Sequence, residues 1–596
     1  MTLQATNPPE ISSRTPLKGI PLKGTPLKGA ALKGSGVPSK GRLKGQKRLR
    51  LVVAGFVICF AVISGRLVEL SLVRGLMGSH KTAVSREARL PRPDIVDRNA
   101  MLLATDIKVY SLFANPRKII DVDEAVELLT AVLPDLDVKK LYKQLGNRKR
   151  AFIWLKREIS PSKRAEVHNQ GIPGIGFRKE TLRIYPNGRL AAHVLGYVDV
   201  DSRGIAGMEK FLDDQGALYT ASLADPAKQA ALPAHLSIDG RVQHAMSDEI
   251  AKAVSHFKAK AGAGVVMNVH TGEIIAMVSL PDYNPNEPKS AQQSQAINRI
   301  TTGVYELGSV IKAVTFAMAF DAGVMSMTSK YDARHPLRVG RSVINDFHAQ
   351  KRILSVPDVF LHSSNIGTAR MALDVGLEGH QAFLRKAGFF DRLVAELPEA
   401  AAPILPKRWG KITTVTAAFG HGFAVQPLQG VTATAALMNG GKLIPPTFLK
   451  RGREAAQGLA VQLVKPQTSE KMKYLFRLNA QKGTARKADK LAAGYRIGGK
   501  TGTAEKVLNG RYSKNHRLNS FVGAFPMEDP QYAILVMLDE PQPVEGTYGY
   551  ATSGWNAVPT AGKVIARIAP LLEVLPHLAD LEKAKPAPKS GKTGAH

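Results

Sequence analysis

The sequence predicts an α+β (α/β) fold in which helices pack around an antiparallel sheet. Three observations carry that expectation. Met246, Ile250, Val254 and Phe257 recur at helical spacing and mark one face of a helix. Val265-Val266-Met267 and Ile274-Ile275-Ala276-Met277 are strand-like runs joined through His270-Thr271-Gly272-Glu273. Phe521 to Phe525 and Ala533 to Leu538 read as two further strands across a loop containing Pro526 and Pro530. A helical middle separates the early hairpin from the late strands.

The chain has 596 residues, 44% of them hydrophobic, which is enough for at least two folded domains and too apolar for wholesale disorder. Its one cysteine, Cys59, excludes an internal disulfide framework and a cysteine-rich zinc site in the monomer. Charge is concentrated at the ends. Residues 1 to 50 hold eleven Lys/Arg and one acid, and residues 583 to 596 hold four Lys and no acid, so the tails carry 14 of the 33 net positive charges. The basic balance suggests nucleic acid, but no helix-turn-helix, finger or stacking-aromatic motif accompanies it, and nucleic-acid binding is set aside.

Pro16-Leu17-Lys18-Gly19 repeats with a period of five through Gly29, then degenerates to Ala31-Leu32-Lys33-Gly34. Pro and Gly in each full unit permit neither a helix face nor a strand ladder, so this is expected to be a disordered basic tail. Leu51 to Gly65 is free of charge, but its fifteen residues are short for a membrane span of about 20. Extension through Leu67, Val68, Leu70 and Leu72 reaches that length if Arg66 snorkels to the outer interface. Arg42, Lys44, Lys47, Arg48 and Arg50 place the N-terminus in the cytoplasm by the positive-inside rule. We read an uncleaved anchor over 49–72. A cleaved signal peptide, with Val62 and Ser64 at its processing site, competes.

Residues 75 to 230 alternate apolar runs with turns and show no nucleophile–base grouping. The chemistry comes later. Gly308-Ser309-Val310-Ile311-Lys312 opens an apolar segment, Ala313 to Phe320, that stops at Gly323 and reads as a helix. Serine and lysine three apart share a face. A serine hydroxyl needs a base, and lysine serves as one only where burial or a nearby cation lowers its pKa. Ser160-Pro161-Ser162-Lys163 and Ser255-His256-Phe257-Lys258 fit the same pattern, so the motif alone is weak. Ser363-Ser364-Asn365 supplies a hydroxyl for proton relay and an amide to hold a carbonyl. Lys500-Thr501-Gly502-Thr503 follows Tyr495-Arg496-Ile497-Gly498-Gly499, a glycine-flanked strand edge that a substrate backbone can approach. Ser513-Lys514-Asn515 and Lys592-Thr593-Gly594 are decoys. Order, spacing and context together favour catalysis.

Those three elements are the ones shared by penicillin-binding proteins and serine β-lactamases, and much of the chain resembles the class B, division-specific D,D-transpeptidases (FtsI type). The resemblance rests further on Asp97-Arg98-Asn99 with Leu103-Ala104, Arg183-Ile184-Tyr185-Pro186, His193-Val194-Leu195-Gly196-Tyr197 and Gly207-Met208-Glu209. It continues in Ala276-Met277 with Pro281, Asn284-Pro285-Asn286, Phe419-Gly420-His421-Gly422 and Pro427-Leu428-Gln429. Leu307 and Ala313 stand where the family shows prolines, Val425-Gln426-Pro427 replaces Val-Thr-Pro, and Tyr548 to Trp555 replaces a Gly-Gly-containing segment. None of these departures removes a catalytic group.

Composition sets off a disordered basic cytoplasmic tail at 1–48, the anchor at 49–72 and a disordered tail at 577–596, and the resemblance implies a non-catalytic pedestal (dimerisation-like) domain at 73–232 and a transpeptidase domain at 233–576. It implies acyl transfer. Ser309 attacks the D-Ala-D-Ala carbonyl of a stem peptide, D-alanine leaves, and an amine from a neighbouring stem resolves the ester. Lys312 is then the base, Ser363 passes the proton to the leaving nitrogen, and Asn365 orients the peptide. Lys500, Thr501 and Thr503, with Gly502 between them, hold the donor carboxylate, while the backbone N–H groups of Ser309 and Thr503 form the oxyanion hole. No metal or cofactor is required. Further implied are acylation by penicillin and other β-lactams, an inner-membrane and septal location with the catalytic domain periplasmic, and partnership with a membrane glycan polymerase (FtsW type) and other division proteins. His421 is expected to be structural because the serine already has a base, and Glu209 to be a scaffold position. Two alternatives stand: a β-lactam-hydrolysing or sensing protein on the same fold, for which no deacylating base is evident, and a non-catalytic division scaffold.

Overall fold

A computed structural model describes residues 54–64, 66, 92–215, 232–393, 395–508 and 510–584. The chain divides into two units, residues 1–89 and 90–596. Within the first, residues 54–64 form a helix on which Phe56, Val57, Ile58, Phe60 and Val62 are exposed. No helix among the described residues is long and apolar enough to cross a membrane. The Pro-Leu-Lys-Gly repeats and half of the expected anchor lie outside the described residues.

The second unit starts with a small sheet. Strand β1 (Leu102–Ala114) pairs antiparallel with β2 (Ile153–Ile159) and with β3 (Ile175–Ile184). Helices α1 (Val122–Val132), α2 (Val138–Leu145) and α3 (Pro161–Asn169) bury Leu129, Leu141, Leu145 and Val167 against Leu112, Ala114 and Ile153. Each helix starts where a side chain accepts from a free backbone N–H: Asp121 for α1, Asp137 for α2 and Ser160 for α3. Ser160 is therefore a cap, and Lys163 pairs with Glu166 at 2.6 Å, which disposes of one Ser-x-x-Lys decoy.

Helix α4 (Gly207–Asp214) carries Glu209 into the interior. Arg183 donates from Nε to Glu209 at 2.7 Å and from a terminal nitrogen to Asp106 at 3.1 Å, while Arg92 donates from Nε to the second Glu209 oxygen at 2.8 Å. Glu209 is thus a scaffold residue, as expected. Motifs from the two halves of this unit meet directly: Tyr185 N–H donates to Asn286 Oδ1 at 3.0 Å and Asn286 Nδ2 donates to Tyr185 O at 3.0 Å. Ile95–Val96 pairs with β1 on one side and, in parallel, with Ala234–His235 on the other. One core runs from Ile95 and Leu103 through Met208 to Ile274 and Val310.

From there the chain forms α5 (Gly240–His256), the hairpin β4 (Ala261–Asn268) and β5 (Ile274–Leu280), then α6 (Lys312–Asp321), α7 (Asn365–Val375), α8 (Pro427–Met438) and α9 (Pro466–Lys482). It ends with β6 (Gly498–Leu508), β7 (Arg511–Phe525), β8 (Tyr532–Asp539) and α10 (Ala557–Leu571). The five strands make one antiparallel sheet in the order β6-β7-β8-β4-β5. Alternate residues go to opposite faces. Val266, Ile534 and Val536 pack with Ile250 of α5 and Val558 and Ile565 of α10, whereas Val265, Leu535 and Met537 join the core that holds α6, α8 and α9. Both faces are covered, which explains the unbroken apolar runs.

Two expectations need correction. The strand expected over Phe521 to Phe525 begins at Arg511; its first half, Arg-Tyr-Ser-Lys-Asn-His-Arg, shows no apolar alternation because it lies beyond the helices that cover the sheet. The tail expected to be disordered from 577 is structured to 584: Leu578–Ala584 is a helix, His577 N–H donates to Gly494 O at 2.8 Å, and Arg496 donates to Asp580 at 2.6 Å. Replacing Glu209 by alanine leaves the Arg183 guanidinium buried without its main partner. Chemical unfolding is expected to show a loss of about 3–5 kcal/mol.

Candidate active site

Ser309 does not sit on the α-helix. It lies in a 3-10 turn, Gly308–Val310, immediately before α6, and Lys312 is the first α-helical residue. The expectation of a helix-borne serine is corrected to that extent. Ser309 is half-buried in that turn, and Lys312 has 0% of its surface exposed.

Lys312 Nζ donates to Ser363 Oγ at 3.0 Å and to the Ser363 carbonyl. Lys500, likewise 0% exposed, donates to the same hydroxyl at 2.9 Å and to Thr501 O at 3.1 Å. Two lysines remote in sequence therefore share one hydroxyl. Burial holds the Lys312 amine well below its usual range, the Lys500 charge lowers it further, and Asp346 opposes the shift. Burial also lowers Lys500, to about 7. Of the pair, Lys312 is the neutral one, because it bears both the desolvation and the neighbouring cation. A neutral Lys312 is a base.

The loop that presents Ser363 is held by residues without any spacing signal. Ser363 has a left-handed backbone, φ +53°, and Ser364 Oγ caps α7 by accepting from Gly367 N–H at 3.0 Å. Asp346 accepts from Ser364 Oγ at 2.7 Å and from Ile366 N–H at 2.9 Å, and Asn365 Nδ2 donates to Asn345 O at 2.9 Å. Asp346 thus orients the relay loop and tempers the field on Lys312.

Strand β6 runs along the serine turn. A Cβ on Gly502 would fall 2.6 Å from the Leu307 carbonyl oxygen and 2.5 Å from Ser520 Oγ, so only glycine allows this approach. Thr501 Oγ1 lies 2.9 Å from Thr484 Oγ1, Asn479 Nδ2 donates to Gly499 O at 2.7 Å, and Ser553 N–H donates to Thr503 Oγ1 at 3.2 Å. On the other side, Gly308 N–H donates to Gly420 O at 3.2 Å. Ser309, Lys312, Ser363, Lys500 and Gly502 are brought together, with Thr501 and Thr503 on the same strand and Asn365 on the loop. The decoys fall elsewhere. Ser255 lies in the last turn of α5, Ser513 Oγ is 2.8 Å from His516 Nδ1 in β7, and Lys592-Thr593-Gly594 lies outside the described residues.

A serine turn beside a buried lysine driven toward its neutral form, a hydroxyl shared by two lysines and a lysine-bearing strand edge fits one class: an enzyme of serine acyl transfer. Comparison narrows it. Residues 262–564 match the penicillin binding protein transpeptidase domain, and residues 88–215 match the penicillin-binding protein dimerisation domain. The chain is 39% identical over 499 residues to the probable peptidoglycan D,D-transpeptidase FtsI of Caulobacter vibrioides (81% of this chain, 82% of that protein). It is 32% identical over 531 residues to the probable peptidoglycan D,D-transpeptidase PenA of Neisseria gonorrhoeae (85% and 90%) and 28% identical over 561 residues to peptidoglycan D,D-transpeptidase FtsI of Escherichia coli (89% and 92%). The chain belongs to the class B penicillin-binding proteins of the FtsI type and is a transpeptidase enzyme.

Gly502→Ala is expected to push β6 off the serine turn. A displacement approaching 1 Å costs about 10²-fold in rate, measurable as the second-order rate of penicillin acylation.

Proposed function

We propose that this chain is the septal peptidoglycan D,D-transpeptidase of its cell, cross-linking stem peptides through an acyl-enzyme on Ser309. The observation that carries this reading is the convergence of Lys312 and Lys500 on Ser363 Oγ, at 3.0 and 2.9 Å, beside the Ser309 turn. Lys312 takes the Ser309 proton as the hydroxyl oxygen attacks the penultimate D-alanine carbonyl. The proton passes through Ser363 to the leaving nitrogen. The N–H groups of Ser309 and Thr503 receive the oxyanion, where loss of one donor costs about 10²–10³ in rate. Lys500, Thr501 and Thr503 take the terminal carboxylate, and Asn365 orients the peptide. Penicillin, whose strained amide carries a carboxylate at comparable spacing, acylates the same serine as its ring C–N bond opens and the nitrogen takes the proton.

The enzyme is anchored in the inner membrane by residues 49–72, with its N-terminus cytoplasmic and its catalytic domain periplasmic. The charge-free run and its basic flank support this. A membrane glycan polymerase of the FtsW type supplies the strands that it cross-links. Cell fractionation is expected to find the full chain in the membrane and a chain lacking residues 1–72 released from it; a freely soluble full chain would refute the anchor.

Intact mass after incubation with a penicillin, followed by peptide mapping, is expected to place a single adduct on Ser309. Ser309→Ala abolishes both the adduct and septal cross-linking. Persistence of the adduct in Ser309→Ala, or rapid release of a chromogenic cephalosporin by the parent, counts against this reading.

A further inference from the structure

The donor half of the reaction uses Lys312, Ser363 and Lys500. The acceptor half poses a separate problem. Its nucleophile is an amine, and an alkylamine with a pKa near about 10 arrives as an ammonium ion that cannot attack.

Three groups around the serine turn have no part in the donor chemistry. Glu306 stands three residues before Ser309 and is half-buried. Its Oε1 accepts from Gly422 N–H at 2.8 Å and from the Tyr512 hydroxyl at 3.1 Å, and that hydroxyl lies 3.2 Å from Oε2. Burial raises its pKa, and its partners are that amide and that phenol, with no cation among the described residues, although the chain carries a formal net charge of +33. A desolvated carboxylate without a counter-charge is a cation site waiting to be completed. His421 lies with its ring 5.8 Å from Tyr512, and its buried Nδ1 makes no side-chain hydrogen bond among the described residues, with the Phe419 backbone as the polar group beside the ring. The residue before it, Gly420, is locked onto the nucleophile's turn: a Cβ there would fall 2.1 Å from the Gly308 carbonyl oxygen. Burial holds the imidazole at about 4, so it is neutral at neutral pH.

We propose that Glu306, Tyr512 and His421 form the acceptor subsite, in which the Glu306 carboxylate binds the incoming primary ammonium and the neutral His421 imidazole orients it toward the Ser309 ester. This rests on the transpeptidase reading and specifies what that reading leaves open. The bound ammonium gives its first proton through Glu306 to water. The free amine then forms its N–C bond to the acyl carbon as the bond from that carbon to Ser309 Oγ breaks. The second proton leaves the new amide nitrogen and returns through Lys312 to the Ser309 oxygen.

The subsite is tested with the full chain, a D-alanyl thioester as donor and N-acetyl-lysine as acceptor. In Glu306→Gln the acceptor KM is expected to rise about tenfold or more, the loss of one charge-assisted contact, while penicillin acylation stays within about twofold of the parent. The pH profile separates binding from mere packing. The titratable groups around the site are Glu306, Tyr512 and Glu505 of the β6–β7 hairpin, His421 and Lys312. As pH falls through the raised Glu306 pKa its charge is lost, so the acceptor KM of the parent climbs in acid; in Glu306→Gln that acid limb of KM is absent, whereas the fall in turnover as Lys312 takes up a proton is common to both. Tyr512→Phe, which removes only the hydroxyl that orients the carboxylate, is expected to raise the acceptor KM by less and covers the case in which Glu306→Gln fails to fold. An unchanged acceptor KM and an unchanged acid limb overturn the proposal. So does a parallel fall in penicillin acylation, which marks a structural role. A parent that is not acylated at Ser309 sinks the transpeptidase reading instead.

Discussion

The active site depends on two buried amines sharing one hydroxyl. Among the described residues neither lysine has a carboxylate ion-pair partner, and both are removed from water, so both are driven toward the neutral form. Lowering Lys500 to about 7 corresponds to roughly 5 kcal/mol against its charged state. A protein keeps such a cost where function needs it. Here it has two uses. In the proposed reaction the more strongly shifted amine serves as the base that Ser309 lacks, and the less shifted one as an under-compensated cation that a substrate carboxylate completes. Once that carboxylate binds, Lys500 holds its proton more firmly, which keeps Lys312 neutral at the moment when a base is required.

The fold holds this unfavourable arrangement in place by close backbone approach. Gly502 lets β6 touch the carbonyl before the nucleophile, and Gly420 lets a second loop press on the same turn from another side. Asp346 and Asn345 hold the relay loop, and Thr484 and Asn479 hold the carboxylate-binding strand. The pedestal contributes by continuity. The buried Arg183–Glu209 pair braces the pedestal internally, the Tyr185–Asn286 contacts tie it to the loop that follows β5, and one hydrophobic core crosses from one domain to the other. The helix-borne contacts of Lys312 and the strand-borne contacts of Lys500 are therefore supported by a single packed body.

Much of this was legible from residue types alone. The α5 face and the β4–β5 hairpin follow from spacing, because burial selects apolar residues with the period of the element. Ser309, Lys312, Ser363 and Lys500 were legible because their chemistry is rare in that order. Other parts gave no such signal. The first half of β7 is polar because its strand partners supply backbone bonds while its side chains face solvent and cleft. The helix at Leu578–Ala584 hides in a Lys-rich end because its hold on the protein is an ion pair with Arg496 and a contact at Gly494, both distant in sequence. Glu306, Asp346 and Thr484 belong to no motif, since their partners become neighbours only after folding.

The sequence by itself determined the chemical inventory and its order: a nucleophile, an amine one turn along, a relay hydroxyl and a glycine-lined strand edge, each encoded locally by short-range geometry. Tertiary structure decided which of several look-alike serines and lysines act. Desolvation is a property of the whole packed body, and only the fold could bury Lys312 and Lys500 together while leaving Lys163 and Lys258 in water.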